Sequence, residues 1–392
     1  MKSPHQPQHQ HKPLRICYII GSLATGGAEG QLVHLAKGLQ GRGHKVMLIL
    51  FHAKGKKRVE QLRAAGVRVW CMNVPELRPI LGLAGKFAAL NCLLQCRALL
   101  RRWQPDVVHP FFLESELWLT LCRIGNAKGC VVTSRRSLAK TKDNTWWKPW
   151  AQNLANRQAQ AVVANSEAVA RDCLKTERNL PKHFHVIYNG LELSQIPVRT
   201  APPIGPSQQV VCLANYHPYK GHQELIEAWA QIAAEFPHVT LRCCGRDTGM
   251  LAQLKQLVCT LGLEERVQLM GPTANPFGEL QRSVCLAHPS YEEGLPNAVL
   301  EALICNVPIV ATTVGGTPEL VQGLNHYGML VQAKNSSALA NGLKTVLSAP
   351  EAHQPNRSGR FTEWRKSWAN NRAVQEYEKL YHTLVNAEHK SE

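Results

Sequence analysis

Aspartate is scarce in this chain, and no two aspartates stand close together. Only four occur among the 392 residues, at positions 106, 143, 172 and 247, and none forms an Asp-x-Asp pair. Because Mg²⁺ and similar hard cations are held by carboxylate oxygens, the sequence gives no indication of a metal site. The thirteen cysteines contain no C-x-x-C pair, which excludes the usual zinc-knuckle and disulfide-redox motifs. We therefore expect neither a metal ion nor a redox cofactor.

Long apolar runs are also missing. No stretch is long enough to cross a bilayer, and residues 1–13, which are rich in His, Gln and Pro, contain no apolar signal core. We expect this tail to be disordered and the chain to remain in the cytoplasm. The cysteines are odd in number and scattered through apolar segments, which predicts small buried side chains rather than disulfides.

Positive charge is concentrated in the N-terminal half. Residues 1–200 contain 30 Lys and Arg against 11 Asp and Glu, whereas residues 201–392 contain 15 against 17. This asymmetry suggests two domains that face different partners. The first half should meet an anionic partner, and membrane phospholipid, a phosphorylated carrier and nucleic acid all satisfy that condition.

Short apolar runs alternate with helix-length segments from residue 14 onwards. In the first half we predict strands at residues 15–20, 45–51, 67–72, 106–109, 130–134 and 161–164. A second series follows a proline-rich linker near residues 195–208, with strands predicted at residues 210–214, 239–244, 267–270, 284–288 and 309–312. Strands separated by helices form a parallel sheet covered on both faces. The sequence therefore predicts an α/β protein of two doubly wound, Rossmann-like domains.

The linker sets the predicted domain boundaries. The first domain spans residues 14–200 and the second spans residues 201–355. A long helix within residues 356–392 is expected to pack back toward the first domain. In sheets of this kind the ligand binds in the crevice at the carboxyl ends of the strands, so we expect a cleft between the domains.

Residues 289–301, with the sequence PSYEEGLPNAVLE, predict a strand end, a turn and a helix that begins near Pro296. The free amides of the first helical turn and the positive end of the helix dipole form a site suited to phosphate. Glu293 precedes the helix and Glu301 lies inside it, so both carboxylates are placed to bind hydroxyls of a sugar and a ribose. Taken alone, the pair has a simpler interpretation. Glu293 would be a negative charge stabilised by the helix dipole, and Glu301 would be a solvated residue of the helix.

This segment resembles the Glu-x7-Glu signature of the retaining glycosyltransferases of family 4. Six further segments match the family in order: SLATGGAE at 22–29, PDVVH at 105–109, VANSE at 163–167, VIYNG at 186–190, YKGH at 219–222 and VATTVGGTPELV at 310–321. The resemblance covers residues 14 to about 347. It implies the GT-B fold and a metal-independent, retaining transfer of a sugar from a nucleotide diphosphate sugar to an acceptor hydroxyl.

The resemblance also implies roles for individual residues. Lys220 would neutralise the leaving diphosphate, Glu293 would contact the donor sugar at the reacting centre, and Glu301 would bind the ribose. The other implied donor-binding residues are Gly26, Gly27, Asn215, Arg246, Gly294, Leu295 and Pro296. A UDP- or GDP-sugar is the expected donor, bound by the second domain, and the acceptor is expected on the first.

Two positions depart from the family pattern. Many relatives have an arginine where this chain has Asn215, so His217 and Arg246 are the candidates for the second cation on the diphosphate. Many relatives also have His-x-His where this chain reads His-Pro-Phe at 109–111. His109 is therefore either a catalytic contact to the sugar or the end of a strand.

Three basic features of the first half are candidates for the anionic partner. Arg135 and Arg136, which follow a strand, are expected either to bind an anionic donor or acceptor group or to lie on a solvated loop. Residues 78–102 form an apolar helix that ends in a basic cluster, for which packing on the sheet is the simpler interpretation. The tryptophan-rich segment 146–150 favours the interface of an anionic bilayer, where indole rings sit at headgroup level.

We therefore predict a glycosyltransferase of the hexosyltransferase type that acts in bacterial polysaccharide biosynthesis. A glycan or a lipid-linked carrier is the expected acceptor, met at the inner face of the plasma membrane. Three alternatives stay open: a nucleotide-sugar epimerase on the same fold, a non-catalytic nucleotide-sugar binding protein, and a nucleic-acid-binding protein. No recognised nucleic-acid-binding module accompanies the basic charge, so we expect no nucleic acid.

Overall fold

The computed structural model describes residues 12–24, 26–74, 83–123, 129–138, 147–203 and 208–391. Most of the predicted N-terminal tail lies outside these residues, and so does Trp146. Within the described ranges, no helix combines the length and the apolar character needed to cross a membrane. All thirteen cysteines are free, and all except Cys71 and Cys259 are buried or nearly so, as their scatter predicts.

The first domain is built on a parallel sheet of seven strands. The strands are β1 (Arg15–Ile20), β2 (Lys45–Leu50), β3 (Arg68–Cys71), β4 (Val107–Pro110), β5 (Cys130–Arg135), β6 (Ala161–Ala164) and β7 (His183–Val186). They lie in the order β3-β2-β1-β4-β5-β6-β7. The central strands are continuous apolar runs buried on both faces, because helices cover both sides of the sheet.

Six described helices cover this sheet. They are α1 (Gly27–Gly41), α2 (Lys56–Ala64), α3 (Leu83–Trp103), α4 (Phe112–Arg123), α5 (Lys148–Gln158) and α6 (Glu167–Thr176). Buried side chains of the strands form one apolar cluster with α1 and the C-terminal helix, and another with α3 and α4 on the opposite face. The sheet is therefore the middle layer of a three-layer domain.

The second domain repeats this plan with six parallel strands. The strands are β8 (Gln208–Leu213), β9 (Val239–Cys244), β10 (Val267–Met270), β11 (Ser283–His288), β12 (Ile309–Thr312) and β13 (Gly328–Val331), in the order β10-β9-β8-β11-β12-β13. The helices are α7 (His222–Ile232), α8 (Leu251–Thr260), α9 (Pro276–Gln281), α10 (Asn297–Ile304), α11 (Thr317–Leu320) and α12 (Ser336–Ser348). Three 3₁₀ turns occur in the described chain, at Leu193–Gln195, Pro218–Lys220 and Pro355–Arg357.

These two parallel-sheet domains confirm the predicted fold class. Two strands, β7 and β13, were not expected from the sequence. Each has only four residues and lies at the edge of its sheet, where its side chains are mostly half-buried. A short edge strand carries little of the apolar pattern that identifies a central one.

The predicted long C-terminal helix is present, but it is preceded by a separate short one. The chain forms α13 (Phe361–Ser367) and then α14 (Asn370–Ser391). At the break, Leu191 donates its backbone N–H to the carbonyl of Trp368 at 2.9 Å, and Asn370 donates to the carbonyl of Leu191 at 2.8 Å. These bonds to the chain after β7 interrupt the helix where it passes from the second domain to the first.

Helix α14 packs on the first domain, against α1. Val374 lies so close to Gly38 of α1 that a Cβ at Gly38 would come within 2.4 Å of the valine Cγ2. Tyr381 buries its ring and places its hydroxyl 3.1 Å from that of Tyr18 in β1. The last helix of the chain is therefore part of the core of the first domain.

Candidate active site

A cleft of about 430 Å³ lies between the domains, at the carboxyl ends of their strands. Loops after β1, β5, β6 and β7, together with α2, form the first wall, which carries Gly26, Gly27, Arg58, Arg136, Asn165 and Asn189. Loops after β8, β9, β10 and β11 form the second wall, which carries Asn215, Lys220, Gly245, Thr273, Glu293, Gly294, Leu295, Pro296, Asn297 and Glu301. This is where parallel α/β sheets bind their ligands.

The start of α10 is the centre of the second wall. Pro296 has an extended backbone, with φ −74° and ψ 107°, and the helix begins at the next residue. The first hydrogen bond of the helix runs from the amide of Leu300 to the carbonyl of Pro296 at 3.2 Å. The N–H groups of Asn297 and Ala298 precede that bond, and both residues line the cleft. Together with the helix dipole they provide a site for an anion.

A compact ion cluster lies beside this helix start. The ammonium of Lys220 is 2.5 Å from Oε1 of Glu293, and Nε2 of His288 is 2.8 Å from the same oxygen. The Lys220 and Glu293 side chains are 17% and 11% exposed, and that of His288 is 3% exposed. We call Lys220, His288 and Glu293 the Glu293 cluster.

The cluster keeps Glu293 ionised. Burial alone would raise the pKa of this carboxyl group. The charge of Lys220 and the hydrogen bond from His288 outweigh burial and lower the pKa to about 2. At neutral pH the group is therefore a carboxylate, which accepts hydrogen bonds from hydroxyl groups and does not donate them.

Glu301 has the opposite electrostatic environment. It is the fifth residue of α10, and its side chain lines the cleft. Burial raises the pKa of Glu301 to about 7. Near neutral pH this carboxyl group is thus part protonated, so it can both donate a hydrogen bond to a hydroxyl group and accept one from it.

Two glycines allow the backbone contacts that assemble the Glu293 cluster. Gly221, which follows the turn carrying Lys220, has φ +70°, and a Cβ there would lie 2.2 Å from the carbonyl oxygen of Pro289. Gly315 has φ +53°, and a Cβ there would lie 1.8 Å from the carbonyl oxygen of Glu293. Both positions combine a left-handed backbone with a close approach, which only glycine tolerates.

The glycine loop after β1 faces α10 across the cleft. The guanidinium of Arg58 donates to the carbonyls of Ala24 and Gly26, the second at 3.2 Å, and so holds the loop in place. A Cβ on Gly27 would lie 2.7 Å from Nδ2 of Asn297. The space beside Gly27 is therefore occupied by a side chain of the second domain, and donor binding by Gly26 and Gly27, which line the cleft, stays a prediction.

Asn215 and Arg246 do not contribute in the same way. Asn215 lines the cleft, but its side-chain oxygen accepts the backbone N–H of Arg246 at 3.0 Å and so shapes the loop after β9. Arg246 is exposed outside the cleft lining, where its charge acts on Glu29 at the start of α1. His217, the other candidate cation, bonds to Thr248 at 3.1 Å and stacks on Tyr219.

His109 lies beneath the cleft rather than on its wall. It is fully buried, with Nδ1 2.7 Å from the hydroxyl of Tyr381 and Nε2 2.7 Å from Oγ of Ser134. Burial, reinforced by the charge of Arg136, lowers the pKa of the imidazole well below its usual value. Of the two roles considered for His109, its burial favours the strand end, and the contact to a sugar stays a prediction.

Arg135 and Arg136 are adjacent in sequence and separated in space. Arg135 is 3% exposed and forms ion pairs with Glu116 at 2.7 Å and Glu177 at 2.8 Å, inside the first domain. Burial alone would lower its pKa, but the two carboxylates raise it. Arg136 lines the cleft. Neither the anion-binding role nor the solvated loop holds for Arg135, because this last residue of β5 points back into the core.

Two family profiles match this chain. The profile described as Glycosyltransferase Family 4 matches residues 25–195, and the profile described as Glycosyl transferases group 1 matches residues 207–349. Between them they include both walls of the cleft. The chain belongs to glycosyltransferase family 4. It is a glycosyltransferase that uses a nucleotide-sugar donor.

Curated relatives match over most of their length. An N-acetylgalactosamine-N,N'-diacetylbacillosaminyl-diphospho-undecaprenol 4-alpha-N-acetylgalactosaminyltransferase of Campylobacter jejuni is 26% identical over 336 residues, covering 84% of this chain and 88% of its own. A D-inositol 3-phosphate glycosyltransferase of Rhodococcus jostii is 25% identical, covering 88% of this chain and 84% of its own.

Solved structures share the fold. HepE of Anabaena, solved with UDP and glucose, superposes with a TM-score of 0.79 at 24% identity, covering 94% of this chain and 99% of its own. Sucrose-phosphate synthase of Thermosynechococcus elongatus superposes with a TM-score of 0.77 at 17% identity, covering 95% and 100%. These similarities confirm the GT-B architecture of the glycosyltransferase.

Direct contacts hold the two domains of the glycosyltransferase together. The carboxylate of Glu319, in the second domain, accepts the backbone N–H groups of Glu167 at 2.9 Å and Ala168 at 2.8 Å, at the start of α6 in the first. Ser166 donates its hydroxyl to the carbonyl of Gly294 at 3.1 Å. A carboxylate at a helix N-terminus is stabilised by the free amides and the dipole.

Several cleft residues of the glycosyltransferase had no assigned role in the sequence. Asn165, Asn189 and Asn297 lie inside the matched motifs VANSE, VIYNG and EGLPN, so the motifs marked their positions but not their contacts. His288 ends a predicted strand, and its approach to Glu293 depends on the turn after it. No sequence motif marked Arg58, because it belongs to an ordinary basic helix and only the fold places that helix beside the cleft.

Among the described residues, one group of three side chains has the spacing of metal ligands. It consists of His44, Glu378 and His382, and it joins α14 to the first domain away from the cleft. Nδ1 of His44 accepts the backbone N–H of Leu14 at 3.1 Å, and its Nε2 lies 2.8 Å from Glu378. Both ring nitrogens of His44 therefore already have partners within the protein. We interpret the group as a structural contact between α14 and the first domain.

Proposed function

We propose that this glycosyltransferase transfers a hexosyl group with retention, and without a metal ion, from a nucleotide diphosphate sugar to an acceptor hydroxyl. The Glu293 cluster beside the start of α10 is the observation that carries the proposal. It offers a cation and backbone amides to the diphosphate and an ionised carboxylate to the sugar. The anionic diphosphate would thus meet positive charge, and the sugar hydroxyls would meet a hydrogen-bond acceptor.

The charge of the leaving group can be stabilised by the chain itself. Lys220 is paired with Glu293 and lines the same cleft as the first residues of α10, so we expect its ammonium to bind a phosphate placed at the start of that helix. An ammonium group and fixed N–H dipoles stabilise a developing phosphate charge where little water competes. These groups are the reason for proposing transfer without a divalent cation.

Retention is proposed through a reaction on one face of the sugar. The bond from the anomeric carbon to the phosphate oxygen breaks, and a bond from the acceptor oxygen to the same face of that carbon forms. The acceptor proton passes to the departing phosphate oxygen, so no enzyme-linked intermediate is needed. Glu293 would hold the sugar hydroxyls and orient the reacting carbon, and Glu301 would bind the ribose hydroxyls.

The first wall is proposed to receive the acceptor. Arg136 is its cleft-lining cation after β5, and its guanidinium lies 5.0 Å from the centre of the Phe111 ring. An arginine on an aromatic face inside a cleft suits a phosphate or another anionic group on the acceptor. This gives the basic first domain a specific point of contact with an anionic substrate.

A panel of UDP-, GDP- and ADP-sugars tests the donor proposal. We expect one of them to raise the melting temperature and to be consumed only when an acceptor is added. The anomeric coupling constant of the product, measured by NMR, should match that of the donor, and added EDTA should leave the rate unchanged. Inverted product, or activity lost to EDTA and restored by Mg²⁺, would overturn the corresponding part of the proposal.

The same panel separates the alternatives. A nucleotide-sugar epimerase would release free nucleotide without any acceptor. A non-catalytic binding protein would be stabilised by a donor but would consume none. A nucleic-acid-binding protein would ignore all three donors and would bind single or double strands with a steep dependence on salt.

An acceptor at a membrane surface is the second part of the proposal. Helix α3 exposes Phe87, Leu90 and Leu94, which are 70%, 50% and 55% exposed, and it ends at the exposed residues Arg101 and Arg102. Residues three and four apart lie on one face of a helix, so these three apolar side chains form one stripe. We call Phe87, Leu90 and Leu94 the α3 stripe. The expectation that this helix simply packs on the sheet holds for its other face only.

The α3 stripe suits the interface of an anionic bilayer. An apolar helical face next to arginines buries its side chains among lipid headgroups while the cations meet anionic lipid. Two tryptophans of the predicted interface loop, Trp147 and Trp150, are also 39% and 68% exposed at the start of α5. The Campylobacter jejuni relative is named for a sugar linked to diphospho-undecaprenol. This name supports the proposal of a peripheral enzyme with a lipid-linked substrate.

Co-sedimentation with vesicles tests this surface. The enzyme should pellet with vesicles of phosphatidylglycerol and phosphatidylcholine at low salt, and less with phosphatidylcholine alone. Replacing Phe87, Leu90 and Leu94 together by Ser should reduce the bound fraction severalfold. Leu174→Ser is the matched control, because Leu174 is 62% exposed on α6 and outside the stripe. Equal loss in the control and the triple variant, or no binding by the parent protein, would contradict the proposal.

A further inference from the structure

Arg136 is held from two sides in the cleft. Its Nη1 donates to the side-chain oxygen of Asn189 at 2.6 Å, and its Nη2 donates to the hydroxyl of Tyr377 at 3.2 Å. Tyr377 belongs to α14 and is 3% exposed, and Asn189 follows β7 and is 6% exposed. The Nε of Arg136 is buried and has no hydrogen-bond partner in the described part of the chain. Two neighbours therefore fix the position of the guanidinium.

Asn189 uses its other polar atom on the opposite domain. Its Nδ2 donates to Oδ1 of Asn297 at 2.7 Å. Asn297 is the first residue of α10, whose N–H groups form the proposed diphosphate site. A single buried amide therefore connects the acceptor-side cation directly to the helix that would hold the donor.

Gly27 leaves the space that the side chain of Asn297 occupies in this position. A Cβ at residue 27 would come within 2.7 Å of Nδ2 of Asn297. The amide could avoid such a contact by swinging away, but its Oδ1 would then leave Asn189. The glycine loop and Asn189 thus enclose the same side chain of the second domain from two directions.

We propose that Asn189 is a positioning residue that couples Arg136 to α10, so that an anionic group bound at Arg136 favours the closed arrangement of the two domains. The inference rests on the proposed function of the cleft and deepens it. An acceptor that carries a phosphate would then promote closure over the donor before the sugar is transferred. Closure excludes water, and so an enzyme without its acceptor would hydrolyse little donor.

A double-mutant cycle between the two asparagines tests the coupling. Because a buried partner is left unsatisfied, Asn189→Ala and Asn297→Ala should each lower kcat/KM by about tenfold. If the residues act through each other, the double variant should also lose about tenfold rather than a hundredfold. Asn341→Ala, an exposed asparagine on α12, is the matched control and should change nothing. Losses that multiply in the double variant would overturn the proposal.

Two further measurements separate positioning from local damage. Asn189→Ala should bind UDP with unchanged affinity in calorimetry, because Asn189 is on the opposite domain. Its radius of gyration in small-angle X-ray scattering with UDP should exceed that of the parent protein, since the closed arrangement is weakened. If the scattering of Asn189→Ala with UDP equals that of the parent protein, the role of Asn189 is purely local and the coupling is contradicted.

Gly27→Ala keeps the proposal testable if Asn189→Ala does not fold. This change should lower kcat/KM by displacing Asn297, and it should cost nothing further in an Asn297→Ala background, because the colliding amide is gone. An equal loss in both backgrounds would overturn the proposal. A parent enzyme with no transfer activity on any donor would instead count against the proposed function, so the two failures are distinguishable.

Discussion

The two walls of the cleft are assembled in different ways. The second wall draws its charged groups from short segments after β8 and β11, where Lys220, His288 and Glu293 form one compact cluster. The first wall draws Arg58 from α2 and Arg136 from the end of β5. The charged groups proposed to meet the donor lie on two loop segments that pack side by side, whereas the cations of the first wall depend on how a helix and a strand end pack.

Two adjacent arginines show how far this dependence goes. Arg135 is the last residue of β5 and points into the core, where Glu116 and Glu177 neutralise it. Arg136 points the other way, into the cleft. Successive side chains of an extended segment alternate in direction, so one residue of register decides between an arginine buried in the core and one that lines the cleft.

The largest expected effect is on the structural member of this pair. Arg135→Ala leaves the buried carboxylates of Glu116 and Glu177 without their cation, which should destabilise the fold by about 3–5 kcal/mol. The free energy of unfolding from urea titrations measures this. Arg135→Met, together with Gln at both carboxylate positions, should recover much of the loss, because an uncharged core needs no cation. A loss below about 1 kcal/mol in Arg135→Ala would contradict the structural role.

The second wall should respond in catalysis. Lys220→Ala removes the ammonium beside the proposed diphosphate site, so kcat should fall by about 10²–10³-fold. Lys344→Ala is the matched control, because Lys344 is paired with Glu235 at 2.7 Å on the surface of the same domain. Exposed pairs of that kind contribute little, so the control should keep its activity and its melting temperature. An equal loss of kcat in both variants would contradict a role of Lys220 in the reaction.

Arg136→Ala should produce a smaller and more selective loss. Without the guanidinium, a phosphate-bearing acceptor loses charge-assisted hydrogen bonds worth about 2 kcal/mol, or roughly thirtyfold in kcat/KM for the acceptor. Donor KM should change little, and stability should change far less than in Arg135→Ala. Steady-state kinetics with each substrate varied in turn measures this split. A loss confined to donor KM would place Arg136 with the donor instead.

The smallest expected effect concerns Glu301 and depends on pH. The folded protein keeps a proton on Glu301 up to about pH 7, whereas the unfolded chain releases it near pH 4.5. Because the folded state then binds more protons, its stability should fall as pH rises between these values. Glu301→Gln lacks this slope and should be more stable than the parent above pH 7. If the melting temperatures of both proteins change with pH in the same way across this range, the raised pKa of Glu301 is contradicted.

Much of the fold followed from local pattern. Inner strands such as β1, β6 and β12 begin and end at the predicted residues, because buried apolar runs between turns favour strands of a covered parallel sheet. The edge strands β7 and β13 could not be predicted in this way. They are short and half-exposed, and only pairing with a neighbour makes them strands.

The site divides along the same line. The sequence by itself determined the start of α10, because turn chemistry and helix initiation act over a few residues, and the family resemblance marked the motifs that carry Lys220 and Glu293. Only the tertiary structure decided that His109 is buried under Tyr381, and that Arg136 is held by Tyr377, which is 241 residues away. Contacts of that range depend on how α14 returns to the first domain, and no local pattern encodes the packing of two surfaces that meet only after folding.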